Sequence, residues 1–168
     1  VVVFYVFIAI FAPILVKVLS LDPYALDRQA INDFGLPAGP LGGISWNHPF
    51  GVEPGTGRDI LGRLMYGARI SLLIGTIGTL LTTAVGVVLG IVAGLRRGFI
   101  DSIISRVGDV TLAFPSLLLI IALANPMTQR LESWGIPAGN TARLTYILAV
   151  LTVFGWVYMA RLVRGQVL

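Results

Sequence analysis

Four stretches of the chain carry no charged side chain and are almost wholly apolar: Val1–Val16, Ile70–Leu95, Val110–Gln129 and Leu144–Ala160. A bilayer core takes roughly 20 apolar residues to cross as a helix. In lipid the backbone groups must be paired within the segment itself. Each stretch is therefore predicted as a membrane-spanning helix. None alternates residue by residue, which argues against barrel strands. Ile70–Leu95 makes a helix of about 39 Å at 1.5 Å per residue, longer than the roughly 30 Å core, so tilt or extra terminal turns are expected. The third span begins before its uncharged part, because Phe99, Ile100, Ile103, Ile104 and Val107 recur at helical spacing. Asp101 favours that helix start. The first stretch also fits a signal-peptide core. No Ala-x-Ala-like site follows it and Asp22-Pro23 ends it abruptly, so a true span is the preferred reading.

The expected fold is an all-α integral membrane protein, a helical bundle with spans at 1–19, 70–95, 102–124 and 144–163. Residues 20–69 hold five of the nine prolines and nine of the twenty glycines, which marks a long loop. Residues 96–101 form a short connection, and 125–143, with Pro126, Gly135, Pro137 and Gly139, a further loop. Arg96 and Arg97 in the short connection, and Arg161 and Arg164 after the fourth span, lie two crossings apart and so on one side. The positive-inside rule makes that side the cytoplasm. Residues 20–69 and 125–143 are then extracytoplasmic, and 164–168 begin a cytoplasmic region. The outer loop also carries Arg28, Arg58, Arg63 and Arg69 against five acidic residues, and the inverted orientation stays open.

Composition agrees. Charged residues are 12% of the chain, against about 25% in soluble domains. The absence of Cys excludes disulfides, and a single His excludes a multi-histidine metal site within the chain. The net charge of +4 is scattered between apolar runs, which fits insertion topology better than nucleic-acid binding. A chain that opens on Val1 and stops at Leu168 is expected to be incomplete at both ends.

Several positions are candidates for function. In the segment 58–69, Ile60, Leu61, Leu64, Met65 and Ala68 form an apolar stripe, and Asp59 and Arg63 are four apart. With Arg58, Tyr66 and Arg69 they describe an amphipathic interfacial helix, either a plain anchor or a gating element. Gly86, Gly90 and Gly94 line one helical ridge, a surface for close helix packing. Asp109 is the costliest residue of the third span, with Arg106 three residues earlier as the expected partner. A pair near the cytoplasmic interface accounts for them equally well. Phe114, Pro115 and Ser116 follow, and Pro115 is expected to kink the helix. Trp156 and Tyr158 suit the membrane interface. His48, between Asn47 and Pro49, reads as a surface residue rather than a ligand. No nucleotide-binding loop of the Gly-x-x-x-x-Gly-Lys-Ser/Thr type occurs.

Several motifs in order resemble one family. They are His48-Pro49-Phe50-Gly51, Gly57-Arg58-Asp59-Ile60-Leu61 and Leu64 through Leu72 (Leu-Met-Tyr-Gly-Ala-Arg-Ile-Ser-Leu). Further on come Arg106-Val107-Gly108-Asp109 through Leu118 and Tyr158-Met159-Ala160-Arg161 through Leu168. Together they cover most of 46–168 and resemble the C-type permease subunit of dipeptide and oligopeptide ABC importers. Residues 20–45 match little. The resemblance implies a six-span subunit, four spans of which are present here. It implies a sister permease, two cytoplasmic ATPases that bind ATP and Mg, and an extracytoplasmic substrate-binding protein that delivers peptide. The setting implied is the bacterial cytoplasmic membrane, with alternating access as the mechanism. No cofactor or catalytic residue is expected in this chain. The coupling helix and two more spans would follow Leu168, with Arg161 and Arg164 near the coupling region. Asp109, Phe114, Pro115 and Ser116 are the candidates for the translocation path. Departures from the pattern are local: Gly51-Val52-Glu53 replaces Gly-Thr-Asp, Gly62 stands for Ser, and Val157 for Pro.

Uptake of nickel or another small solute is the nearest alternative within the family. A non-transporting membrane scaffold is an alternative of another class. An intramembrane protease is disfavoured. Asp109 is the one carboxylate within a span, where an aspartyl type needs two, and the single His lies in a loop.

Overall fold

The computed structural model describes residues 2–167. Val1, at the head of the first expected span, and Leu168, at the end of the expected coupling region, lie outside the described residues. The chain is helical, with α1 at Val2–Val18, α2 at Ile60–Leu95, α3 at Phe99–Ala113, α4 at Ser116–Ser133 and α5 at Asn140–Val167. It divides into two compact units, Val1–Leu73 and Ile74–Leu168.

In the first unit, α1 has 17 residues, about 25 Å at 1.5 Å per residue and a little short of the bilayer core. Lys17 in its last turn complements the helix dipole. Ala12 and Val16 pack with Leu21 and with Met65 from the start of α2, flanked by Leu61 and Tyr66. This differs from the expected surface helix at 58–69. Those residues are the first turns of one 36-residue helix, and part of their apolar stripe is covered by α1 rather than by lipid. Leu64 is the exposed remainder. No proline separates Ile60 from Leu95, and one helix forms.

The second unit is organised around α5. Down the seam with α2, Gly78 meets Leu148 and Leu151, Gly86 meets Trp156 and Met159, Gly90 meets Ala160 and Val163, and Gly94 meets Val167. Positions rise together on both helices, so α2 and α5 run parallel. Any side chain at the ridge would collide. A Cβ on Gly86 would lie 2.8 Å from the Trp156 carbonyl oxygen, and one on Gly90 2.7 Å from that of Ala160. The fit is reciprocal, because a Cβ on Gly155 of α5 would lie 2.7 Å from Thr82 Cγ2. Gly86, Gly90 and Gly94 thus lie against α5.

α3 and α4 also pack on α5, and the pairings of Asp101 with Arg164 and of Gly108 with Val157 set α3 antiparallel to it. Gly108 lets α3 approach Val157, and Leu112, Ile104 and Leu89 surround the buried Trp156, Val157 and Ala160. The Tyr146 hydroxyl donates to the Leu119 carbonyl at 2.8 Å, tying α5 to α4.

Pro115 does more than kink the third span. The helix ends at Ala113 and restarts at Ser116, and the two halves are bent by 80°. Proline lacks the N–H of the helical ladder and drives the preceding residue to extended geometry, as at Phe114 (φ −83°, ψ 133°). The α4 half then continues to Ser133, beyond the expected end at 124. The stretch expected as loop from 125 is helical with Pro126 inside it, and Thr128 donates to the Ala124 carbonyl at 2.7 Å. The connection shrinks to 134–139, and α5 starts at Asn140 rather than 144. Among the described residues two helices, α2 and α5, are long and apolar enough to cross a membrane by themselves, and the bent α3–α4 pair makes a third crossing if taken as one.

Gly90→Ala is expected to destabilise the full-length protein by about 1–3 kcal/mol through overpacking. Gly75→Ala, where a Cβ meets nothing within 4 Å, should be neutral or gain up to about 1 kcal/mol from helix propensity. Thermal unfolding in detergent reads both.

Candidate functional site

Two groups of polar side chains stand out, one in each unit. In the second unit, α3 and α5 are joined by two ion pairs. Arg161 Nη2 donates to Asp109 Oδ1 at 2.5 Å, and Arg164 Nη2 to Asp101 Oδ2 at 2.7 Å, with its Nε 2.6 Å from Oδ1. The expected pairing of Asp109 with Arg106 is therefore corrected. Asp109 reaches across to α5, because the antiparallel packing puts Arg161 opposite it. The two arginines, expected near the coupling region, are also the partners of both α3 carboxylates. Asp101 lies in the first turn of α3 and is within 3.5 Å of the Ser105 hydroxyl. The Asp109–Arg161 pair is exposed, at 65% and 53%, and the Asp101–Arg164 pair more sheltered, at 18% and 36%. Phe114 is exposed at the break and Ser116 opens α4. Asp109, Phe114, Pro115 and Ser116 are thus gathered at the last turn of α3 and the bend beyond it.

In the first unit the long loop is folded upon itself by short-range side-chain caps. Asp22 accepts from the amides of Tyr24 and Ala25, Asp27 from those of Gln29 and Ala30, and Asn32 from those of Phe34 and Leu36. Asp59 caps α2 through the Gly62 amide at 2.6 Å and is 2% exposed. Capping is the reason a carboxylate stands there. Arg63 pairs with Glu53, which also accepts from Thr56, so the expected Asp59–Arg63 pairing is replaced. The Thr56 hydroxyl, then Arg63, hold the Glu53 carboxyl below the ordinary carboxylate range. Tyr66 packs edge-on against Tyr24 with ring centroids 5.9 Å apart. Arg58 pairs its backbone with Glu53, and Arg69 extends from the fourth position after Met65 on α2.

His48 is also corrected. Its side chain is 18% exposed and lies between Asp59, 3.0 Å from Nδ1, and Asp27, 3.4 Å from Nε2. Asp27 is 21 residues away in the chain, so no local spacing announced it. Gly57 closes the same turn at φ +68°, and a Cβ there would collide with the Asp27 carbonyl oxygen. Among the described residues no three His, Cys, Asp or Glu side chains are grouped to hold a metal ion.

No family model matches the chain. It is 40% identical over 148 residues to the dipeptide transport system permease protein DppC of Bacillus subtilis, covering 88% of this chain and 40% of that protein. The chain belongs to the family of peptide-transport permeases. A second member, the oligopeptide transport system permease protein OppC of Bacillus subtilis, is 40% identical over 124 residues, 74% of this chain and 36% of its own length. The glutathione transport system permease protein GsiD of Pectobacterium atrosepticum is 33% identical over 162 residues, 95% of this chain and 48% of its own. This permease chain thus spans less than half the length of these curated relatives. The apolar helices and the family together make it a membrane protein.

A double-mutant cycle on Asp101→Asn and Arg164→Gln should give a coupling of about 0.5–1 kcal/mol in unfolding free energy, falling with added salt.

Proposed function

We propose that this chain is part of the permease subunit of an ATP-driven importer of dipeptides and oligopeptides. The observation that carries the reading is the 40% identity to a dipeptide permease across 88% of the chain. The glycine seam and the broken third span add to it. A parallel α2–α5 pair supplies a wall, and the bend at Phe114-Pro115 sets Ser116 at the head of α4. Alternating access requires two arrangements with different affinities for ligands, since a ligand shifts an equilibrium only by its differential binding. The α3–α5 ion pairs are exchangeable contacts of the kind that separates such states.

In this reading the subunit lies in the bacterial cytoplasmic membrane and crosses it several times. It pairs with a sister permease, receives peptide from an extracytoplasmic binding protein, and is driven by two ATPase subunits that hold ATP and Mg. This chain acts as a transport subunit, not an enzyme. The basic residues at 96–97 and 161–164 face the cytoplasm and the 20–59 loop the outside. Asp109, Phe114, Pro115 and Ser116 border the path, with Arg161 and Arg164 towards the coupling region.

Uptake of a labelled dipeptide should be lost when the gene is deleted and restored by the full-length gene product. Unchanged uptake in the deletion strain contradicts peptide import. Asp109→Asn, with normal amounts in the membrane, is expected to cut uptake about tenfold or more. Normal uptake would remove that carboxylate from the path.

A further inference from the structure

His48 has a carboxylate on each ring nitrogen, Asp59 Oδ2 at 3.0 Å from Nδ1 and Asp27 Oδ2 at 3.4 Å from Nε2. A neutral imidazole has one N–H and one lone pair. It donates to one carboxylate and turns a lone pair towards the other. The imidazolium donates to both. Neither carboxylate is free to turn away. The other oxygen of Asp59 accepts from the Gly62 amide at 2.6 Å, at the head of α2. The other oxygen of Asp27 accepts from the amides of Gln29 and Ala30. The backbone around Asp27 is in turn pressed against Gly57, one turn before α2.

Two other carboxylates of this loop are engaged elsewhere. Glu53 is held by Arg63 and Thr56, and Asp22 by the amides of Tyr24 and Ala25. Asp27 from the loop and Asp59 at the cap of α2 are the carboxylates within hydrogen-bond reach of the ring, and Arg28 and Arg58 adjoin them in the chain.

We propose that protonated His48 is a pH-operated latch that fastens the loop segment around Asp27 to the first turn of α2. The latch is closed where the imidazole is charged and both carboxylates are ionised. As pH rises through the deprotonation of His48, the second donor is lost and the long contact to Asp27 opens. On the acid side, the Gln29 amide first, then His48, keep the Asp27 carboxyl below its ordinary range. The position of the loop on the head of α2 then follows proton concentration at that face of the membrane.

Hydrogen exchange of the full-length protein in detergent, with mass spectrometry of peptides covering 28–31 and correction for intrinsic exchange, tests this. Protection of the Gln29 and Ala30 amides should fall roughly three- to tenfold between about pH 5.5 and about pH 8.5. His48→Gln should flatten that dependence. Asp27→Asn keeps the capping oxygen and removes the charge, and should flatten it also. It decides the matter if the His48 variant fails to fold. Protection that does not change with pH in the wild type overturns the latch, as does a pH dependence that survives Asp27→Asn.

Discussion

The contact on which the second unit depends is the approach of two helix backbones with almost nothing between them. Lipid tails are as apolar as leucine, so burying apolar surface gives little reason for helices to associate within a membrane. Dispersion contact and weak Cα–H···O bonds are left, and both need the backbones close. Gly86, Gly90 and Gly94 make that approach possible against α5, and Gly155 returns it against Thr82. Each helical glycine costs about 1 kcal/mol relative to alanine. Three in register are sustainable only where closeness gives more in return.

α5, fixed on α2, also takes the third span. Trp156, Val157 and Ala160 form a buried patch shared by Leu89 of α2 and by Ile104 and Leu112 of α3, and Gly108 removes the side chain that would hold α3 away. The ion pairs follow from the antiparallel direction of packing, which sets Asp101 against Arg164 and Asp109 against Arg161. The 80° bend at Pro115 redirects the chain, and the Tyr146 hydroxyl secures α4 beyond it. A close-packed helix pair, a broken span and two cross-helix ion pairs therefore occur together in the second unit.

Helix positions are legible in the sequence where hydrophobicity alone decides them, as in Ile70–Leu95 and Leu144–Ala160. So is the glycine ridge, since a spacing of four needs no partner to be seen. Partners are not legible. Local spacing offers Asp109 only Arg106, on its own helix, whereas Arg161 is 52 residues away. His48 looks solitary in the sequence because Asp27 comes from the far end of the loop. Pro126 has the composition of a breaker and is accommodated in α4, while Pro115 breaks its helix completely. Pro115 stands between α3 and α4 and Pro126 inside α4, a difference that no local feature of the sequence marks. The segment 58–69 has the pattern of a surface helix because its apolar stripe carries no mark of α1 as the covering neighbour.

The most direct measurement is affinity purification of the full-length gene product from its own membrane in mild detergent, with identification of co-purifying chains and an ATPase assay. A second permease and two ATPase chains, with hydrolysis raised by a substrate-binding protein loaded with dipeptide, is the predicted result. A stable protein recovered alone and without ATPase activity would contradict it.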